Sequence, residues 1–300
     1  MLIKYRHSFL LLILAVLSIF TYSRNQYWGD NSYLWSDVVF KSPLKARGYI
    51  NLGDLLYKRG ITKEAHELFL KAVELEPFHF MARFNLGTFY LHSGRFDDAI
   101  YELRKSIDLM STYVSAYENL GMALIKKGDY VSAEETLLFG LKVSPKSVSL
   151  HLNLGLALMK KGDYLTAEET FKAGLELGPD NSTLHLNLGS SYYLQGKYDK
   201  ALHHYLISAK LAPPSLGLME SIIKTNVELG EYDNAETLCK QILDFDSNNL
   251  FAIDTLAFIY ESTDRREDAL AQYNRILEVR PGDSYAEGKI KLLKSGKYGN

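Results

Sequence analysis

From residue 46 onward, apolar residues recur on two superposed periods. The short period is helical: Tyr49, Leu52 and Leu56 step by three and four, which places them on one helix face. The long period is 34 residues. With position 1 set at Ala46, position 7 reads Leu52, Leu86, Leu120, Leu154, Leu188, Ile222 and Leu256. Position 20 reads Ala65, Ala99, Ala133, Ala167, Ala201, Ala235 and Ala269, without exception. Position 24 carries Phe69, Leu103, Leu137, Phe171, Tyr205, Cys239 and Tyr273. Seven such units tile residues 46–283 with no insertion or deletion.

Small and helix-breaking residues punctuate the same register. Position 8 is Gly53, Gly87, Gly121, Gly155 and Gly189, then Ile223 and Ala257; position 15 is Gly60, Gly94, Gly128, Gly162, Gly196 and Gly230, then Asp264. Position 32 is Pro77, Ser111, Pro145, Pro179, Pro213, Ser247 and Pro281. The pattern predicts a helix A over positions 2–14, a glycine turn, and a helix B stopped by proline, which lacks the amide hydrogen and clashes with the preceding turn. Small residues at positions 8 and 20 let the two helices approach closely. The predicted units are 46–79, 80–113, 114–147, 148–181, 182–215, 216–249 and 250–283.

The flanks continue the register. Leu34, Trp35, Val38, Val39 and Pro43 fall where positions 23, 24, 27, 28 and 32 would lie, so residues 24–45 read as a linker with a lone lead-in helix B. Residues 284–300 read as a capping helix, Tyr285–Leu293, and a tail, with Lys289, Lys291 and Lys294 wetting the outer face. The sixth unit departs most, with Ile223, Asn226 and Ser247 at marker positions, and is the expected place for a joint.

The array resembles the tetratricopeptide (TPR) family, whose signature is W-x2-L-G-x2-Y…A-x3-F…P on this period. The likeness covers about four-fifths of the chain. It implies an all-α, right-handed superhelical solenoid of antiparallel helix pairs. The family's Trp at position 4 is absent; Tyr49, Arg83, Tyr117, His151, His185, Met219 and Ile253 stand there.

Ahead of the repeats, Lys4, Arg6 and His7 precede an uncharged run from Ser8 to Ser23. Aromatic residues bracket it, Tyr5 on one side and Tyr22, Tyr27 and Trp28 on the other. Residues 1–23 are expected to be an uncleaved membrane anchor spanning 5–22, with a cleaved signal as the second reading. Either places the repeats outside the cytoplasm, in a bacterial cell facing the periplasm. The string from Arg24 and Asn25 through Trp28, Asp30, Leu34, Trp35, Lys41, Pro43, Lys45 and Ala46 to Asn51-Leu52-Gly53 resembles the junction between the last membrane helix and first repeat of TPR-bearing protein O-mannosyltransferase-like membrane proteins. That likeness implies topology and carries no catalytic residues across.

Composition adds little: 47% hydrophobic, 23% charged and a net charge of −2 point to no nucleic-acid partner. The lone Cys239 excludes an internal disulfide. His151 and His185 share position 4 and His203-His204 adjoin, but no convergent metal set is legible. The pairs Asp97-Asp98, Glu134-Glu135 and Glu168-Glu169 sit at helix B starts, where carboxylates suit the helix dipole. No cofactor, metal or catalytic constellation is expected, and so no enzyme. What remains is surface. The resemblance implies that positions 2, 5, 9, 12 and 13 of helix A line a concave groove. There the sequence offers Phe84, Leu91, Met122, Ile125, Lys126, Leu152, Leu156, Met159, Lys160, Leu186 and Tyr193 as binding residues. The leading reading is a membrane-anchored scaffold for a protein or peptide ligand, of unassigned oligomeric state. The alternatives are an accessory subunit of glycan or glycoprotein assembly, and a glycan-binding or chaperone solenoid.

Overall fold

A computed structural model of the chain describes residues 13–18, 20–21 and 31–295. Every regular element among them is helical. The chain divides into two compact units, residues 1–145 and 146–300. The first holds α1 (Asn31–Lys41) and the hairpins α2 (Ala46–Lys58) with α3 (Thr62–Leu75), α4 (Phe80–His92) with α5 (Phe96–Leu109), and α6 (Val114–Lys127) with α7 (Tyr130–Val143). The second holds α8 (Val148–Lys161) with α9 (Tyr164–Leu177), α10 (Ser182–Leu194) with α11 (Tyr198–Leu211), α12 (Leu216–Glu228) with α13 (Tyr232–Phe245), α14 (Leu250–Ser262) with α15 (Arg266–Val279), and α16 (Ser284–Lys294). The division falls between the third and fourth repeats. Most of the expected anchor lies outside the described residues, and among those described no helix is long and apolar enough to cross a membrane.

Each hairpin closes on a notch. All seven position-20 alanines have no exposed surface, and the position-24 side chains are at most 3% exposed. In the first five repeats the space those side chains fill exists because position 8 is glycine. A Cβ on Gly87 would stand 2.7 Å from Cγ of Leu103, and one on Gly189 would stand 2.7 Å from Cδ1 of Tyr205. Real carbons do not approach so closely, so glycine is required by the partner ring or isobutyl group. The sixth repeat solves the same problem in reverse: Ile223 fills the notch and small Cys239 faces it, both fully buried. Its departure from the pattern is therefore an exchange of volume across one contact, and α12 and α13 form as regular helices.

The turn at position 15 needs a left-handed residue. Gly128 has φ 89° and Gly162 φ 91°; Asp264, at the same position, is the one non-glycine among the described residues with positive φ, 57°. Asp tolerates that region better than most side chains. Around this residue the position-16 amide donates back to the position-11 carbonyl, as in Asp129 to Leu124 at 2.9 Å and Arg265 to Tyr260 at 2.7 Å. These bonds satisfy carbonyls that the end of helix A leaves without partners.

In the first three repeats position 4, where the family has Trp, carries a polar head with a shared task. Tyr49 Oη donates to the Pro43 carbonyl at 3.0 Å, Arg83 Nε to Pro77 at 2.9 Å, and Tyr117 Oη to Ser111 at 3.0 Å. Each thereby ties helix A to the carbonyl at position 32 that closes the preceding helix B. The cap behaves differently from its sequence reading. Lys289 does not wet the outer face but pairs with Glu261 at 2.6 Å in a largely buried contact. It lies 28 residues downstream of its partner, close to one repeat period.

Candidate functional site

In each unit the A helices lie side by side, α4 between α2 and α6, and α10 between α8 and α12. Their shared face forms a wall. In the first unit Phe84, Met122 and Ile125 are half-buried on it and Lys126 is exposed. Tyr113 stands edge-on to Phe84, with ring centroids 4.9 Å apart, and points its hydroxyl at the Met81 sulfur at 3.8 Å. Polar ties cross the wall: Asn119 Nδ2 donates to Thr88 Oγ1 at 2.8 Å, and Tyr57 Oη meets His92 Nδ1 at 2.8 Å. Leu91 is a correction. It is 8% exposed and belongs to the core, because α4 is packed on both flanks by neighbouring A helices.

In the second unit Leu152, Leu156, Met159, Leu186 and Tyr193 are half-buried on the wall and Lys160 is exposed. Tyr193 packs on Tyr198 at 5.3 Å. Burial, reinforced by the charge of Glu228, raises its phenol above the usual value. Tyr193 also opens onto a recess of about 260 Å³ that the sequence reading passed over. Its other walls are Lys224 and Val227 from α12 with Glu228, then Asp254, Thr255 and Phe258 from α14, and Tyr285 from α16. Lys224, Val227, Glu228, Asp254 and Phe258 hold wall positions of the sixth and seventh repeats, so extending the same register two repeats further would have found these five, though not Thr255 or Tyr285.

Behind the wall, polar side chains join successive repeats. Glu168 was read from sequence as a dipole partner at a helix start, and the structure gives it a different setting. It is 8% exposed, with Lys172 at 2.6 Å, Lys197 at 3.2 Å and Gln195 donating at 3.1 Å. Burial alone would raise its carboxyl; the bonds from Lys172, Gln195 and Lys197 outweigh that and lower it to about 2. Glu236 repeats the arrangement with Lys240 and Arg265, each at 2.7 Å, and the Tyr260 hydroxyl at 3.2 Å.

His151 and His185, which share position 4, take different partners. His151 turns to the Ser147 carbonyl of its own helix at 2.9 Å. His185 instead lies 3.0 Å, Nδ1 to Nδ1, from His204, and its Nε2 lies 3.0 Å from the Pro179 carbonyl. A carbonyl only accepts, so His185 carries its proton on Nε2 and takes one from His204 Nδ1. Burial first, then the neighbouring His185, His203 and Lys172, push His204 down to about 4 against an opposing pull from Glu168. Among the described residues no group of His, Cys, Asp or Glu could hold a metal ion.

Hairpins on a fixed register, joined by notch packing and by ion pairs one repeat apart, define a helical-repeat scaffold with a continuous A-helix face in each unit. A tetratricopeptide-repeat sequence profile matches residues 39–109 and 152–215, and a second profile of the same repeat matches 114–147, together more than half of the chain. The chain belongs to the tetratricopeptide-repeat family. No curated protein sequence matches it. Among solved structures it is similar to PilF of Pseudomonas aeruginosa, at 22% identity over 69% of this chain and 94% of that one, with a TM-score of 0.60. It is also similar to the C-terminal part of a TPR protein from Cytophaga hutchinsonii, at 17% identity, 80% and 99% coverage and a TM-score of 0.63. A third is YrrB, described as a TPR protein with an unusual peptide-binding site, at 20% identity, 62% and 96% coverage and a TM-score of 0.52. At such identities the likeness carries the fold alone.

Proposed function

We propose that this chain is a membrane-tethered scaffold whose repeats lie outside the cytoplasm and hold a protein or peptide partner on the A-helix wall. The observation that carries the binding half is the row Leu152, Leu156, Met159 and Leu186, half-buried on one face while Leu150, Leu154 and Leu158 of the same helix are buried behind it. Apolar side chains left partly open in a row mark interaction surfaces more often than solvated ones, and methionine adapts to varied ligands. The peptide-binding site described for YrrB makes this mode of use plausible for the fold. The tether rests on the sequence: a basic start at Lys4 and Arg6, an apolar run, and aromatic residues at both ends.

Two measurements test the two halves. A photo-crosslinking residue at Leu156 should trap a partner that the same residue at exposed Glu169 does not. Leu156→Glu with Met159→Glu should weaken that capture by about 2 kcal/mol, the scale of hot-spot loss, with an unchanged melt. Equal trapping at both positions would remove the wall from consideration. For topology, alkaline phosphatase fused after Gly53 should be active, and a fluorescent cytoplasmic fusion at the same point would reverse the orientation.

A further inference from the structure

The recess beside Tyr193 differs in chemistry from the rest of the wall. It is lined by two carboxylates, Glu228 and Asp254, and by the rings of Tyr193, Phe258 and Tyr285. Neither carboxylate has an ion-pair partner among the described residues, although basic groups are near. Lys224, which lines the recess, sets its ammonium over the Phe251 ring at 5.1 Å, and Lys289 is held by Glu261. Both carboxylates are exposed, unlike Glu168 and Glu236, which are buried or half-buried and each take two cations. Asp254 is exposed, although neighbouring groups strip part of its water. Loss of water there raises its carboxyl, Lys289 pulls the other way, and Asp283 and Glu261 add to the rise. A cation arriving from outside would oppose that rise.

We infer that this recess receives the basic side chain of a peptide partner, an arginine or a lysine, and so supplies the polar anchor for a segment whose apolar residues lie along α8 and α10. The inference rests on the scaffold reading above. Its size selects one side chain: about 260 Å³ is below the range of pockets that enclose a drug-sized molecule. Its composition selects charge. Glu228 and Asp254 outnumber Lys224, and aromatic faces attract a cation while the carboxylates orient it. The rim holds the aliphatic stem, with Val227 and Thr255 available to it.

The test uses the full chain and capped pentapeptides of sequence Ala-Leu-Xaa-Leu-Ala, with Arg, Lys, Gln or Glu at the centre. The arginine and lysine peptides should bind at least about tenfold more tightly than the glutamine peptide at low salt, and high salt should narrow the gap. Asp254→Asn with Glu228→Gln, both close to isosteric, should erase the preference and leave the glutamine peptide unchanged. Lys224→Gln should strengthen the arginine peptide. Equal binding of the arginine and glutamine peptides overturns the inference, as does a folded double variant that keeps the preference. Should the double variant fail to fold, the comparison of peptides on the unaltered chain and on Lys224→Gln decides. The two readings fail separately. Loss of crosslinking at Leu156 with the arginine preference intact removes the scaffold reading. Crosslinking abolished by Leu156→Glu with Met159→Glu, but no arginine preference, removes only the recess.

Discussion

Gly155→Ile should destabilise the second unit by about 3 kcal/mol, and combining it with Phe171→Cys should cost about 4 kcal/mol in all, well short of the additive sum. A Cβ on Gly155 already enters the Phe171 ring, so a branched side chain there forces the hairpin α8–α9 apart. Phe171→Cys alone empties the notch and should cost about 3 kcal/mol through the cavity it leaves. The pair together recreates the contact that Ile223 and Cys239 make in the sixth repeat, where both are fully buried. A double-mutant cycle by urea unfolding should therefore show a favourable coupling of about 2 kcal/mol. Compensation is partial because the sixth repeat also places Ile242 where the fourth has Gly174. Strict additivity would mean that the two positions do not share one volume, and the account of the sixth repeat would fall with it.

The second large effect is in pH. The folded chain holds His204 near 4, while an unfolded chain protonates it near its ordinary 6.5. Between those values the unfolded state binds a proton that the folded state refuses, so stability falls as pH falls through the window. Allowing for solvent screening of a half-buried ring, the loss by about pH 4 should be on the order of 2 kcal/mol. Glu168 adds to acid instability only below its ordinary 4.5, since its folded value is about 2. Asp254, raised by burial, works in the opposite sense in that lower range. His204→Leu should flatten the melting temperature between pH 4.5 and 6.5 relative to the parent. An unchanged slope would assign the acid sensitivity elsewhere.

The parts of this fold that were legible are those where one residue type is forced by its own hairpin. Alanine at position 20, glycine against the position-24 side chain, and the left-handed residue at position 15 recur because a local geometry recurs. What escaped depended on neighbours one repeat away. Glu168 looks the same in sequence as exposed Glu169, and its bonds from Gln195 and Lys197, 27 and 29 residues on, help tell them apart. The longer offset also joins Glu236 to Arg265. Scanning for opposite charges at about one period would have exposed both pairs. The wall was half legible: its register held for Leu156 and Met159, whereas Leu91 at the same kind of position is closed over by flanking helices. The recess needed α16, whose contribution of Tyr285 comes from beyond the last repeat.

Cys239 ends the notch exchange in the sixth repeat, and its burial has a use at the bench. The thiol is fully enclosed, and burial, with Glu236 nearby, pushes it up to about 12. At neutral pH it presents almost no thiolate to an alkylating reagent or an oxidant. Since it is the chain's one cysteine, the native sequence already serves as a silent background for thiol labelling. A cysteine introduced at Lys126 or Lys160 would accept a fluorophore or spin label alone, and distances across the repeats could be read without first altering the core.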